Sequence, residues 1–451
     1  MRKLGFMLVP LLFVTCTETG TQLTDPGDAP LFKKQGAGGS NGPYEVGFTS
    51  FVIHDATRDD RPIPIYVWYP ADPAGIDETT PKALYPLDPF FGDLPVATSG
   101  DFELYGLYGA YQEPTPASNG AFPLVMFSPG WGAAAYDHTY VGTSLAQHGF
   151  VVAVVTHFGD GTTANPNEPF DHLAVASFNR PRDVSAALDA VVALDLLSGV
   201  IDQSMIVASG WSLGGYASMV LAAGDDLVCD LIDPIFEPIP SWTCAPSFPD
   251  ARIKMIIPLD GSNQLLHFQE LARVKVPAMG MGQEWSTAGS WQARQHAAFL
   301  GHPSYRVDVN RSIHLSFANI CESVQVLRDH GIIDDDLVAF YLDLICGPDL
   351  IPSYEIHRLV TKYMLAMLTH QQNILTPGQA ITREPDIEVF VTEKRNPHSI
   401  DEEWPDVFTY HMHQPGKATS KAQKTLTATA EKDPTGRPPV ERVGIPWRWQ
   451  Y

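Results

Sequence analysis

The chain has 451 residues, 44% of them hydrophobic, which is ample for one large core or two ordinary ones and marks a globular protein. With 29 Lys and Arg against 52 Asp and Glu, its formal charge is −23. A chain this acidic repels polyanions, so nucleic acid is excluded as a partner and neutral or apolar ligands are favoured.

The chain opens with Met1-Arg2-Lys3, the apolar run L-G-F-M-L-V-P-L-L-F-V-T and then Cys16. The run is too short to span a bilayer and reads as an export signal over residues 1–16. It resembles a bacterial lipoprotein signal, in which Cys16 is lipidated, becomes the mature N-terminus and tethers a cell-envelope protein to the membrane. Phe13 and Thr15 depart from the usual Leu and Gly or Ala. A plain cleaved signal giving a secreted protein, or a buried apolar N-terminus, are the alternatives. Residues 17–42, rich in Thr, Gly, Asp and Ser, read as a flexible tether.

From 43 to 375 strand-like and helix-like runs alternate, the pattern of a mostly parallel sheet flanked by helices. Segments 46–53 and 63–69 (I-P-I-Y-V-W-Y) predict an antiparallel opening pair, and Pro64 predicts an edge position for the second. Segments 122–127, 150–156, 205–209, 253–259, 274–281 and 305–309 predict parallel strands joined by crossover helices. Between them, 181–197 carries Val184, Leu188, Val191, Leu194 and Leu197 at helical spacing, with Pro181 marking the helix start. Insertions near 71–119 and 225–250 interrupt the alternation and are placed to overhang a site. The tail, 376–451, is dominated by Lys, Thr, Pro and Glu and predicts little regular structure.

Setting Cys16 aside, the cysteines fall as two close pairs, Cys229 with Cys244 and Cys321 with Cys346. In an exported protein these predict disulfides, the first closing a loop of about fifteen residues and contributing roughly 3 kcal/mol. Neither pair has zinc-site spacing or histidines in register, so no metal and no cofactor is expected.

Residues 206–215 read I-V-A-S-G-W-S-L-G-G, a β-branched run breaking into G-x-S-x-G and followed by a helix-compatible stretch, 213–223. A strand before and a helix after are what a nucleophile elbow requires, and Ser212 is its serine. A serine hydroxyl needs a base, and the base needs an acid to fix its tautomer. Of fifteen histidines, His314 in R-S-I-H-L-S-F follows the last parallel strand and is the candidate base. Two carboxylates end consecutive strands, Asp260 in I-I-P-L-D-G-S and Glu284 in M-G-M-G-Q-E-W, and either is in reach as the acid. Backbone N–H groups of Leu213, directly after the serine, and of Trp131, in the loop S-P-G-W-G-A, are the candidate oxyanion donors.

Several motifs occur in a familiar order: R-P-I-P-I-Y-V-W-Y-P, P-L-V-M-F-S-P-G-W-G, L-A-Q-H-G-F-V-V-A-V-V-T-H, R-P-R-D-V-S, the elbow, L-D-G-S and S-I-H-L-S-F-A. Together they resemble the platelet-activating-factor acetylhydrolase-like branch of the α/β-hydrolases. The resemblance implies the α/β-hydrolase fold, Asp260 rather than Glu284 as the acid, and calcium-independent hydrolysis of short or oxidised acyl esters. Pro129 and Trp211 depart from it, standing where that branch usually has His. P-G followed by an aromatic, and G-W-S, are closer to cutinase-like polyester hydrolases. Trp211 and Trp131 would then offer apolar faces beside Ser212 to an acyl chain or an aromatic ester, with Trp211 a candidate pocket residue.

The expected function is therefore an exported serine carboxylic-ester hydrolase working through an acyl-enzyme on short-acyl, lipid-like or aromatic esters. A cutinase-like polyester hydrolase is one alternative, and a non-catalytic surface binding protein on a hydrolase scaffold is the other.

Overall fold

The computed structural model describes residues 42–85, 97–98, 109–159, 171–232, 239–283, 291–300, 304–309, 312–323, 345–347, 350–371 and 389–392. The frame is a ten-stranded sheet. Its strands are β1 (Glu45–Asp55), β2 (Arg61–Ala71), β3 (Tyr111–Gln112), β4 (Phe122–Ser128), β5 (Val151–Val155), β6 (Ile201–Trp211), β7 (Ile253–Leu259), β8 (Ala278–Gln283), β9 (Ser304–Val309) and β10 (Val389–Thr392). Their spatial order is β10-β9-β8-β7-β6-β4-β5-β2-β1-β3. Strands β4 to β9 run parallel, and β1 with β2, β2 with β5, and β9 with β10 are antiparallel. The predicted opening pair and the six predicted parallel strands are all present, the start of β8 falling four residues later than the apolar run proposed, just past Pro277.

Both faces of the parallel strands are buried, which is why they read as continuous apolar runs rather than alternating ones. In β4, Val125 and Phe127 face one core while Leu124 and Met126 face the other. Helices α1 (Thr139–Gln147) and α5 (Ser353–Gln371) cover the first face through Tyr140, Leu145, Leu359 and Met364. Helices α2 (Leu173–Val192) and α3 (Leu213–Ala223) cover the second through Val184, Leu188, Tyr216 and Val220. Helix α4 (Trp291–Ala298) packs along β8 and β9.

Two expectations need correcting. Pro64 does not mark an edge, because β2 lies between β1 and β5. Its carbonyl accepts from the Thr156 N–H at 3.0 Å, so its donorless nitrogen faces the point where pairing with β5 ends and little is lost. Pro181 does not begin its helix but sits inside α2, with Leu194 and Leu197 beyond the helix end. The neighbouring Arg180 is fixed by buried hydrogen bonds that hold the turn against the proline's preference. A short strand from the tail, β10, adds to the sheet edge where V-F-V-T supplies β-branched and aromatic residues.

The described part of the 225–250 insertion packs past the C-terminal end of α3, where Asp225 and Ser247 exchange backbone hydrogen bonds. Both predicted disulfides form, Cys229–Cys244 with Cα atoms 5.2 Å apart and Cys321–Cys346 with Cα atoms 6.0 Å apart. Among the described residues no helix is long and apolar enough to cross a membrane.

Candidate active site

The chain runs from β4 to β5 on one side of the sheet and returns to place β6 on the other side of β4. The carboxyl ends of β4 and β6 therefore flank a topological switch point, where open α/β sheets form their binding crevice. Ser128 at the end of β4 is in register with Gly210 of β6, so the loop after β4 and the turn after β6 lie side by side.

Ser212 occupies that turn with φ 57° and ψ −121°. A non-glycine residue there costs roughly 1–3 kcal/mol, which the surroundings must impose. They do so through three hydrogen bonds. The Ser212 N–H donates to the Leu259 carbonyl at 3.0 Å, and its own carbonyl accepts from Ser262 at 2.9 Å and Tyr216 at 3.2 Å. Two residues on, a Cβ at Gly214 would lie 1.8 Å from the Ser128 carbonyl oxygen, so only glycine lets α3 pass this close to β4.

The structure brings Ser212, His314 and Asp260 into one chain of hydrogen bonds. His314 Nε2 lies 2.8 Å from Ser212 Oγ, and His314 Nδ1 lies 2.6 Å from Asp260 Oδ2. A carboxylate only accepts, so Nδ1 carries the proton and Nε2 is left to accept from the serine hydroxyl. Asp260 is buried and takes a second hydrogen bond from Gln283 Nε2 at 3.0 Å, while the His314 side chain is 29% exposed and reachable from the crevice. Asp260 sits at φ 41° just past β7, where its N–H donates to the Met281 carbonyl. Glu284, the alternative acid, and Cys16 lie outside the described residues.

Trp211 is only 5% exposed, which does not leave it the open pocket face expected of it. Its indole N–H donates to the His314 carbonyl at 2.9 Å and its ring lies 4.9 Å from the His314 ring, so it braces the histidine loop from behind. Gly130 packs on the same indole, and a Cβ there would come within 3.2 Å of Ser212 Cβ. The Gly130–Trp131 backbone thus runs beside the serine, with Trp131 half-buried, and Leu213 opens α3 directly after the serine.

Sequence reading passed over a second polar chain under this loop. Ser128 Oγ lies 2.8 Å from His157 Nε2, and His157 Nδ1 lies 2.9 Å from Asp183 Oδ2. Arg180 donates to Ser128 Oγ and to the carbonyls of Pro129 and Gly130. The available signal was R-P-R-D, polar residues three apart on a helix face that otherwise buries apolar ones.

His138 was also missed. It is buried between Phe127 and Trp211, and burial, then the nearby His357, lowers its pKa to about 3. Below the ordinary value of 6.5 the unfolded chain takes up a proton that the folded state refuses until about 3. This contribution to stability is therefore whole above pH 6.5 and lost as pH falls toward 3. His138→Phe is expected to flatten the acid limb of stability against pH by one proton's slope, measured by urea unfolding at stepped pH. An unchanged slope would mean the imidazole is not buried neutral.

Among the described residues no group of three or more His, Cys, Asp or Glu side chains is placed to hold a metal ion.

Residues 31–165 match the family model of platelet-activating factor acetylhydrolase, isoform II. A platelet-activating factor acetylhydrolase from Cavia porcellus is 32% identical over 135 residues, covering 28% of this chain and 29% of that one. A bis(hydroxyethyl) terephthalate hydrolase from Streptomyces coelicolor is 26% identical over 149 residues, 33% of this chain and 42% of its own. Lipase 1 of a Moraxella species is 31% identical over 115 residues, 25% of this chain and 32% of its own. The match thus spans less than half the length of each of these relatives. Among solved structures, a ferulic acid esterase from Streptomyces cinnamoneus superposes with a TM-score of 0.56 at 19% identity, over 77% of this chain and 96% of that one. Sheet order, the strained serine at the switch point and this superposition give the chain the α/β-hydrolase fold, and its residues 31–165 are similar to the platelet-activating-factor acetylhydrolases.

Proposed function

We propose that the protein is an exported serine carboxylic-ester hydrolase acting through an acyl-enzyme on short-acyl, lipid-like or aromatic esters. The observation that carries this reading is the Ser212–His314–Asp260 chain, with contacts of 2.8 and 2.6 Å. His314 Nε2 takes the Ser212 proton as Oγ adds to the ester carbonyl, and Asp260 stabilises the imidazolium. The N–H groups of Leu213 and Trp131 receive the oxyanion. Collapse of the tetrahedral intermediate, with the proton passed from His314 to the leaving alcohol, gives the acyl-enzyme. Water activated by the same histidine then releases the acid.

Export is supported by the two disulfides and the apolar leader ending at Cys16, which would serve as the lipid anchor of a cell-envelope protein or be lost with the signal of a secreted one. A polyester-type substrate is favoured as the second reading by the G-W-S elbow and by the bis(hydroxyethyl) terephthalate hydrolase relative. A binding protein without turnover is disfavoured, because it has no use for a strained serine aligned on a histidine.

A fluorophosphonate probe on the purified chain, followed by peptide mass spectrometry, is expected to find one adduct, on Ser212. A p-nitrophenyl ester series beside a terephthalate diester is expected to turn over fastest on the short acyl chains. Absence of both adduct and turnover would overturn the esterase reading, and preference for the terephthalate would move the polyester reading ahead.

A further inference from the structure

The buried chain Ser128–His157–Asp183 repeats the donor and acceptor order of the site chain, but with Arg180 bound to it and almost no access to solvent. Ser128 and His157 are each 1% exposed and Asp183 and Arg180 are 0% exposed. The Ser128 hydroxyl donates to His157 Nε2, the His157 Nδ1–H donates to Asp183, and Ser128 Oγ accepts from Arg180 Nη1 at 3.2 Å. Asp183 is further held by Arg58 Nη1 at 2.6 Å and Arg61 Nε at 3.0 Å.

This chain cannot itself act on a substrate. Burial, then the Arg180 charge, drives His157 down to about 3 against the pull of Asp183, so the imidazole stays neutral at neutral pH and does not take the serine proton. No ester carbonyl reaches a serine so deeply covered.

What the chain does reach is the loop beside Ser212. Arg180 Nη1 donates to the Pro129 carbonyl at 2.5 Å and Nη2 to the Gly130 carbonyl at 2.8 Å, a two-pronged grip that suits a planar guanidinium. The Gly130 carbonyl and the Trp131 N–H belong to one planar trans peptide and point in opposite directions. Turning that carbonyl onto Arg180, where it also accepts from the Ala133 N–H at 3.1 Å, therefore turns the Trp131 N–H the opposite way, and Gly130 itself packs against Trp211 and Ser212.

We propose that Arg180, anchored through Ser128, His157 and Asp183, is a positioning residue for the oxyanion loop, locking the Gly130–Trp131 peptide with its N–H aimed at the Ser212 reaction centre. The proposal rests on the esterase reading above and deepens it. A preset donor helps only when charge develops on the substrate oxygen, so its loss falls on turnover and on binding of tetrahedral mimics, with little effect on ground-state binding.

Arg180→Lys and Ser128→Ala in the full chain test this against p-nitrophenyl butyrate and against phenylboronic acid, which adds to a site serine as a tetrahedral mimic. Arg180→Lys keeps the charge and loses the fork; it is expected to lower kcat about a hundredfold with KM within about threefold. The boronate inhibition constant should rise by the factor that kcat/KM falls. Ser128→Ala, which loosens the anchor, should move the same two quantities together by about tenfold. A folded Arg180→Lys with wild-type kcat, or with KM raised and boronate binding intact, overturns the proposal. Should Arg180→Lys fail to fold, Ser128→Ala decides, and wild-type kcat and boronate affinity in that variant overturn it equally. A wild-type chain that hydrolyses no ester fails the parent reading and takes this one with it. An active wild type with indifferent variants fails the positioning role alone.

Discussion

Ser212→Ala is expected to lower kcat by about five powers of ten and Asp260→Asn by about four, each with a melting temperature within a few degrees of wild type. The proposed nucleophile is Ser212, whose hydroxyl is bonded to His314 Nε2 and held in the strained turn, and alanine offers no oxygen in its place. The Asp260 effect has a different origin. Oδ2 accepts from both His314 Nδ1 and Gln283 Nε2, so an asparagine that keeps its oxygen there preserves the bonds and removes only the charge facing the imidazolium. An asparagine flipped the other way sets its NH2 against two donors and releases the histidine to the wrong tautomer. Both outcomes act on the barrier, so kcat should fall with KM little changed, read from steady-state hydrolysis of p-nitrophenyl butyrate. Glu284→Gln in parallel is expected to retain most activity. If Glu284→Gln collapsed and Asp260→Asn survived, the acid would be reassigned to Glu284.

Legibility from sequence followed chemistry that repeats locally. The elbow was readable because a strand, a tight turn and a helix in succession demand small residues at fixed offsets, and Gly214 is forced by contact with the Ser128 carbonyl. The parallel strands were readable because burial on both faces makes them unbroken apolar runs. Pro181 misled, since a local rule about proline at helix starts was overridden by tertiary bonds at Arg180 that no window of sequence contains. Trp211 misled in the same way, as its position beside the serine was evident but its bond to the His314 carbonyl, across 103 residues, was not. The Ser128–His157–Asp183 chain joins the ends of two strands to a helix, and only the fold brings those three motifs together. Its members stood inside the quoted motifs without showing what they bind.

Gly214→Ala is expected to cost more than about 3 kcal/mol and to abolish both soluble yield and fluorophosphonate labelling. The added Cβ would stand 1.8 Å from the Ser128 carbonyl oxygen, 2.5 Å from its carbon and 2.6 Å from the Pro129 carbonyl oxygen, all backbone atoms. Neither side can give. Ser128 ends a buried strand and is tied by its side chain to His157 and Arg180, while Gly214 lies in the first turn of α3, whose start is fixed by the Ser212 bonds to Leu259 and Ser262. Relief would require α3 and β4 to part, which would carry Ser212 away from the Gly130–Trp131 peptide even in a chain that still folded. Gly120→Ala, where a Cβ meets nothing within 4 Å, is the matched control and should stay within about 0.5 kcal/mol of wild type. A Gly214→Ala protein with wild-type melting temperature and labelling would show that helix and strand do not approach this closely. The oxyanion loop would then not be seated against the nucleophile, and the positioning role of Arg180 would lose its geometric basis.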